Sequence, residues 1–374
     1  MLGHGIRQLS SYRRMRCLNF NTCTSTSLAP PRRHRPLVHL SSAPGAKFDG
    51  HEIGTPYPIL PHEVTSTVRH VDSSVAVPWY ADDSLVGTDD VRHEGAKQKD
   101  TCNSSMLVGQ ATERARVLGR ITRHALDHAL SLLREGITTD EIDESVHNHI
   151  VSKGAYPSLL GYRGFPKSTA TNINEVVSLG VPDLRPIEAG DVITIVVFCF
   201  KDGLHCSASE TVIVNGSEMM DDDILDDSQN SRWKRSKRLI HAARDVLDEA
   251  IREASKHGTT LGNIGSAIHA AADSREYRVV RRLVGHGIEA ELQCPPHIEI
   301  GSGHDGRDDS STRLKPGMLL LISPILVEGH SACAQWSNGH TSATVDGGIG
   351  AQFGATVILT DDGAEVLTAT PASQ

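Results

Sequence analysis

Residues 161–216, GYRGFPKSTATNINEVVSLGVPDLRPIEAGDVITIVVFCFKDGLHCSASETVIVNG, decide the fold of this chain. The apolar run over residues 192–200 predicts a buried strand, and Lys201-Asp202-Gly203 predicts a tight turn into a second strand. Side chains that project from both arms of such a hairpin into one cavity would suit a metal site. The inward positions nevertheless hold Val196 and Ser207, and neither residue supplies a carboxylate.

The bulk composition indicates a globular protein with no nucleic-acid partner. Of the 374 residues, 38% are hydrophobic and 22% are charged, which is typical of a chain that buries a core. The net charge of −9 leaves no excess of Lys and Arg to neutralise phosphates. The sequence shows no run of about 18 apolar residues, so no membrane span is expected. The seven cysteines form no CxxC pair and therefore indicate reduced thiols.

Residues 1–45 have the composition of a mitochondrial transit peptide, because Arg and Ser are frequent and the first 48 residues contain neither Asp nor Glu. A disordered basic tail without a targeting role is the alternative. From the transit-peptide interpretation, the expected location of the protein is the mitochondrial matrix. Residues 46–105 are predicted to form an extended arm on the surface of the domain that follows, because several prolines lie there: Pro56, Pro58, Pro61 and Pro78.

Hydrophobic periodicity predicts the elements of the domain itself. Helices are expected over residues 111–134, 138–153, 233–257 and 261–272. Besides the hairpin, strands are expected over residues 277–284, 318–326, 352–359 and 365–368. Because helix pairs alternate with hairpins, the predicted class is α+β with an antiparallel sheet.

Several phrases carry a family resemblance that periodicity does not explain. They are GITTDEID (136–143), GYRGFPKS (161–168), NINEVVSLGVPD (172–183), VGHGI (284–288), LKPGM (314–318) and AQFGATVILTDDGAEVLT (351–368). In order and spacing they resemble the type I methionine aminopeptidases, and with the basic N-terminus the chain is most similar to their mitochondrial branch. The resemblance implies a pita-bread α+β fold over residues 106–370. In that fold a curved antiparallel sheet carries helices on its outer face and the active site in its hollow.

The resemblance also implies where a metal site would lie. Family members hold two divalent metal ions through two Asp, one His and two Glu, and the metals activate a water molecule. Carried over motif by motif, the Asp positions are Val196 and Ser207, and the His position is His286. The Glu positions are Ser323 and Gly354. One of the five ligands is therefore retained.

Positions on the substrate side of the family's site have changed as well. Two auxiliary histidines correspond to Leu179 and Gln293, and an aromatic residue that bounds the methionine pocket corresponds to His340. The resemblance assigns Tyr162, Phe165 and His340 to the substrate cleft. With both auxiliary histidines replaced, no catalytic residue is assigned.

His286 admits two interpretations from the sequence. It is either a remaining contact for a metal or substrate, or a cavity histidine hydrogen-bonded to the backbone between Gly285 and Gly287. The second is favoured, because one imidazole is a poor ligand set. A rebuilt zinc site is disfavoured, because strand alternation places Cys206 on the face opposite Ser207 and Glu210 would need a change of register to point inward. The residues near the motifs that could form such a site are His205, Cys206, Glu210, Glu289, Glu291, Cys294 and His340.

The combined pattern predicts a methionine-aminopeptidase-like protein that has lost its dinuclear metal site, is non-catalytic and binds peptides or proteins in the old cleft. No cofactor is expected. The expected partners are peptide N-termini and nascent or other mitochondrial proteins, with neither nucleic acid nor a membrane among them. The alternative is a metalloaminopeptidase that removes N-terminal methionine with two divalent ions (Co, Mn, Fe or Zn). A pseudogene product is disfavoured because the scaffold phrases stand intact.

Overall fold

Four α-helices, one short 3-10 helix (Tyr162–Gly164) and nineteen strands lie in the part of the chain that the structure, a computed structural model, describes. This part comprises residues 47–48, 51–52, 62–65, 69–81, 93–94, 107–215, 227–281, 284–300 and 309–370. The helices are α1 (Gln110–Ser131), α2 (Thr139–Ser152), α3 (Asp227–Ala254) and α4 (Leu261–Asp273). The strands are β1 (Lys47–Phe48), β2 (His51–Glu52), β3 (Val77–Pro78), β4 (His93–Glu94), β5 (Tyr156–Pro157), β6 (Thr169–Ile173), β7 (Val176–Ser178), β8 (Val192–Lys201), β9 (Leu204–Ile213), β10 (Arg278–Val279), β11 (Gly285–Gly287), β12 (Cys294–His297), β13 (Leu319–Ile322), β14 (Ile325–Val327), β15 (Cys333–Gln335), β16 (Ser342–Thr344), β17 (Gly350–Gln352), β18 (Gly354–Thr360) and β19 (Gly363–Val366).

The predicted hairpin is the longest strand pair in this fold. Strands β8 and β9 pair antiparallel over their full length, from Val192 opposite Ile213 to Lys201 opposite Leu204. Asp202 and Gly203 form the turn with φ values of 51° and 77°, the left-handed conformation that matches the twist of a two-residue hairpin. This turn fixes the register, and the register decides which side chains share a face.

A nine-stranded sheet grows from both edges of the hairpin. Its main path runs β12-β11-β13-β18-β9-β8-β5, with β6 also paired to β8 and β19 to β18, and all of these pairs are antiparallel. Helices α1 and α2 share one buried cluster with the hairpin, which includes Leu118, Leu126 and Ile195. Helices α3 and α4 share a second cluster with β13 and β18. No helix in the described part of the chain is long and apolar enough to cross a membrane.

The four predicted helices are all present, and local capping explains where α2 and α4 begin. At the start of α2 the Thr138 hydroxyl accepts a hydrogen bond from the Glu141 amide, and the Glu141 carboxylate accepts one from the Thr138 amide. The same reciprocal arrangement links Thr260 and Asn263 at the start of α4. Helix α3 begins six residues before the predicted start at residue 233, because hydrophobic periodicity marks only the part of a helix that faces the core.

Four predicted strands differ from the structure, and the strand predicted over residues 365–368 begins two residues earlier and ends at Val366. The apolar run 318–326 is two strands, β13 and β14, which belong to different sheets, because Pro324 between them has no N–H to donate to a ladder. The run 352–359 is likewise divided at Phe353 between β17 and β18. The run 277–284 contributes only β10 within its described residues. Ser323 and Gly354 therefore lie at the two points where the backbone passes from one sheet to the other.

Part of the predicted arm is anchored in the domain. Arg69 Nε donates to Asp143 Oδ2 at 2.7 Å, and Arg69 Nη2 donates to Asp140 Oδ1 at 3.0 Å, all three side chains being almost fully enclosed. Val71, Val75 and Val77 pack with Tyr156 and Phe200 in a separate cluster. The predicted transit peptide lies outside the described residues, and the boundaries at 45 and 105 stay predictions.

Candidate functional site

A cavity of about 640 Å³ opens beside the hairpin. Its wall is made by the face of β8 that carries Val196 and Phe198, by His286 on β11, and by the loops around Tyr162, Leu292 and His340. A volume of this size is typical of a pocket for a small ligand or for one or two residues of a peptide. The hairpin, the sheet corner and the loops therefore converge on one open cavity.

Three of the five predicted ligand positions line this cavity: Val196, His286 and Ser323. The other two lie next to lining residues. Ser207 is opposite Phe198 in the β8–β9 register, on the same face of the hairpin as Val196. Its amide donates to the Thr356 hydroxyl at 2.9 Å, which in turn donates to the Ser207 carbonyl at 2.8 Å. The structure thus brings all five positions to one corner of the sheet.

Gly354 is closely enclosed at this corner. It pairs with Ser209 across β9 and β18, and a Cβ added to it would lie 2.5 Å from Ser209 Oγ and 2.9 Å from Ser323 Cβ. Contacts this short force a neighbour to move. The buried Ser209 hydroxyl has no hydrogen-bond partner among the described residues, so a small rotation of this side chain is the most accessible adjustment.

The substrate-side positions named from the sequence also line the cavity: Leu179, Gln293, His340, Tyr162 and Phe165. Phe165 and His340 meet edge to face with their ring centroids 5.4 Å apart. Leu179 has a positive φ of 48° and leads into Gly180, whose amide donates to the side-chain oxygen of Asn172. The structure therefore places all five residues around one cavity, without assigning a role to any of them.

The side chain of His286 is held by a hydrogen bond to the backbone of the next residue. Its Nδ1 lies 2.8 Å from the carbonyl oxygen of Gly287, and because a carbonyl can only accept, Nδ1 carries the proton. Burial lowers the pKa of His286 to about 4, against a smaller opposing effect from this hydrogen bond, and nearby His297 lowers it further. At neutral pH the imidazole is uncharged, with Nε2 as its hydrogen-bond acceptor.

The donor set does not fit the family's pair of divalent ions. The five ligand positions supply one imidazole and two hydroxyl groups, and no carboxylate. Hard divalent cations that lie close together need several carboxylates to replace their water and offset their repulsion. Within the described residues, no group of three or more His, Cys, Asp or Glu side chains is arranged to hold a metal ion.

Two of the residues considered for a rebuilt zinc site, Cys206 and His205, are engaged elsewhere, whereas a third, His340, lines the cavity. Cys206 faces Cys199 across the hairpin, and burial raises the pKa of the Cys206 thiol to about 11. His205 is fully buried, with Nδ1 2.9 Å from the Ser158 hydroxyl and its ring stacked on Tyr80. Burial lowers the pKa of His205 to about 3. Neither residue lines the cavity.

The anchored segment of the arm reaches the edge of this site. Tyr80 donates its hydroxyl proton to the Ser158 carbonyl at 2.6 Å and meets the ring of Tyr162 edge to face at 5.0 Å. Trp79 Nε1 donates to Glu291 Oε1 at 2.8 Å, while burial raises the pKa of Glu291. Because Tyr162 lines the cavity, the arm holds one wall of it in place.

Sequence reasoning missed several residues that line the cavity, among them Asn172, Phe198, Arg281, Glu299 and Gln352. Strand alternation would have found Phe198, which lies two residues after Val196 on the same face. Gln352 comes to the site through the sheet change at Phe353, which the uninterrupted apolar pattern conceals. Arg281 and Glu299 come from segments that flank β11 and β12, and nothing local marks them.

Comparison with known proteins decides the family. The metallopeptidase family M24 matches residues 113–361, more than half of the chain. Methionine aminopeptidase 1D, mitochondrial, from Dictyostelium discoideum is 38% identical over 262 residues, which are 69% of this chain and 60% of that protein. Methionine aminopeptidase 1b from Plasmodium falciparum is 34% identical over 330 residues, 88% of this chain and 58% of that protein. The chain belongs to the type I methionine aminopeptidases.

A solved structure extends this assignment to the fold. Methionine aminopeptidase from Rickettsia prowazekii matches with a TM-score of 0.62 and 31% identity, over 71% of this chain and 99% of that one. The predicted family and the predicted pita-bread α+β fold are therefore confirmed. The chain spans less than two thirds of the length of the two relatives from Dictyostelium and Plasmodium.

The crowding at Gly354 predicts a measurable coupling with Ser209. We expect Gly354→Ala to lower the free energy of unfolding by about 1–3 kcal/mol, because its methyl group meets Ser209 Oγ. In a Ser209→Ala background the loss should be smaller by about 0.5–2 kcal/mol. Urea denaturation of the four proteins in this double-mutant cycle measures the coupling.

The matched control is Ser152→Ala at the end of α2, where the serine hydroxyl donates only to the His149 carbonyl. Its effect should add to that of Gly354→Ala within about 0.5 kcal/mol. A coupling of zero with Ser209→Ala would show that the two positions are not in contact.

Proposed function

We propose that this chain is a non-catalytic type I methionine aminopeptidase homologue that binds the N-terminal segments of peptides or nascent proteins in its cavity. The observation that carries the proposal is the composition of the ligand corner. Val196, Ser207, Ser323 and Gly354 stand where the family's motifs place four carboxylates, and the scaffold around them is intact. The cavity is retained, but the four carboxylates that would bind metal ions in it are absent.

The corner cannot supply what metal-dependent hydrolysis needs. In the family, a pair of divalent ions would supply a water activated for attack on the peptide bond. Valine and glycine offer no donor atom, and a serine hydroxyl carries no charge to offset that of a cation. The auxiliary positions Leu179 and Gln293 offer no side chain that titrates near neutral pH and could transfer a proton.

The cavity is nevertheless equipped to bind. Apolar side chains on the hairpin, the loops and β13 can cover the first side chain of a peptide: Leu179, Val196, Phe198, Leu292 and Leu321. The amides of Asn172, Gln293 and Gln352 can pair with its backbone. A few polar groups in a mainly apolar pocket are the usual composition of a specific binding site.

The names of the relatives support the second candidate, an aminopeptidase that removes N-terminal methionine with an altered site. Each of the two proteins compared in sequence is called a methionine aminopeptidase. This candidate requires metal ligands that the corner does not provide, and we therefore favour the binding function.

A cleavage assay separates the two candidates. The full-length chain is incubated with the peptide Met-Ala-Ser-amide and Co²⁺, Mn²⁺, Fe²⁺ or Zn²⁺, and methionine release is measured with and without a chelator. We expect no release above the chelator-treated sample, since no metal pair assembles. The Rickettsia prowazekii enzyme serves as the positive control. Release by this chain that the chelator abolishes would contradict the proposal.

We also propose that the protein is mitochondrial. The acid-free, Arg-rich composition of residues 1–45 supports this, as does the word mitochondrial in the name of the Dictyostelium relative. A fluorescent protein fused after residue 45 should localise to mitochondria. The same fusion with Arg13, Arg14 and Arg16 changed to Glu should stay in the cytosol, because the basic character would be lost. Cytosolic fluorescence of the unchanged fusion would contradict this location.

A further inference from the structure

Few of the described residues that line the cavity carry a formal charge. Among the described residues of the chain, the charged side chains of the lining are Arg163, Arg281 and Glu299, and both arginines are exposed to solvent. Besides these, the titratable residues of the lining include His286, His297 and His340. We call five of the described lining residues the floor of the cavity, and none of the five has a carboxylate: Val196, Phe198, His286, Ser323 and Gln352. The two arginines outnumber the one lining carboxylate, Glu299, so a cationic ligand meets no net negative charge among the described residues of the lining.

The polar groups of the floor are neutral hydrogen-bonding groups. His286 commits its Nδ1 proton to the Gly287 carbonyl, so its Nε2 has no proton to donate while the ring is neutral. The Ser323 hydroxyl can donate and accept. The Gln352 amide, whose Nε2 lies 3.4 Å from the Ser323 carbonyl, presents an oxygen as a further acceptor.

These features distinguish two kinds of peptide N-terminus. A free α-amino group has a pKa of about 7.7–8.0 and is mostly a cation at neutral pH. Enclosing a cation away from water without a counter-charge is strongly unfavourable. An acylated N-terminus has no charge, and its amide N–H and carbonyl can be satisfied by acceptors and donors of the kind found on this floor.

We propose that the cavity selects peptides whose N-terminus is acylated and whose first side chain is apolar, over the same peptides with a free α-amino group. The acyl group and the first side chain lie against the apolar wall that Val196, Phe198 and Leu292 form. The first peptide N–H is paired by the neutral acceptors of the floor. This inference rests on the proposed binding function and specifies its ligand.

The test compares two peptides that differ only at the N-terminus. Acetyl-Met-Ala-Ser-amide and Met-Ala-Ser-amide are titrated into the full-length chain by calorimetry at pH 7.0. We expect the acetylated peptide to bind about six- to elevenfold more tightly, because only the small neutral fraction of the free amine at pH 7.0 binds without a counter-charge. The C-terminal amides remove any attraction of a carboxylate to Arg163 or Arg281.

The pH dependence gives a second measurement on the unchanged protein. As the pH rises to 9.5 the free amine loses its proton, and the difference between the peptides should fall below about threefold. Because the acetylated peptide has no group that titrates in this range, any change in its affinity with pH comes from the protein. The difference between the two peptides therefore reports the charge on the amine alone.

A variant places a carboxylate on the cavity wall. Gln352→Glu keeps the size of a buried lining residue and should reverse the preference in favour of the free amine. Gln293→Glu, at an exposed lining position, should shift it in the same direction even if the first variant does not fold. The matched control is Gln110→Glu, which adds the same charge at the exposed start of α1 and should leave the preference unchanged.

The outcomes separate this inference from the function on which it rests. Tighter binding of the acetylated peptide supports both. Equal or tighter binding of the free amine at pH 7.0, without cleavage, overturns the selectivity and leaves the binding function standing. Failure of both peptides to bind, or cleavage of the free peptide, overturns both proposals.

Discussion

The pairing of β8 with β9 is the constraint on which the site depends. The two-residue turn at Asp202 and Gly203 sets the register, and the register places Val196 and Ser207 on one face. Strand β9 also pairs with β18, with Ser209 opposite Gly354. This pairing brings Gly354 next to the face of the hairpin that carries Val196 and Ser207. A slip of one residue would turn every one of these side chains to the opposite face. The hairpin therefore brings the positions that the family's motifs assign to metal ligands to one corner of the sheet, whichever residues occupy them.

The sequence predicts this assembly well where local chemistry decides it. The hairpin follows from an apolar run and a turn that needs left-handed residues, and α2 follows from the capping residues Thr138 and Glu141. The division of the run 318–326 was missed, because hydrophobicity continues across Pro324 while the hydrogen bonding does not. The position of Gln352 in the cavity wall depends on a similar change of sheet, between β17 and β18 at Phe353. Such changes are properties of the tertiary fold, and no local pattern specifies them.

The neutral corner has a consequence for the fold as well as for chemistry. Four carboxylates around a small hollow would repel one another unless cations lay between them. With Val196, Ser207, Ser323 and Gly354 in their places, the corner closes through packing and through the paired hydrogen bonds of Ser207 and Thr356. Under the proposed function, the scaffold needs no metal ion to offset such repulsion, and its cavity offers neutral groups to a ligand.

Calorimetric titration of Mn²⁺, Co²⁺ and Zn²⁺ into the full-length chain tests the central claim, that the hollow is preserved without the capacity to hold a metal pair. A His286→Ala variant isolates binding at the corner from binding at the chain's other histidines. We predict that the unchanged protein and the variant give the same titration for each ion, because one imidazole cannot assemble a dinuclear site. Saturable binding of two equivalents in the unchanged protein, lost in His286→Ala, would contradict the account.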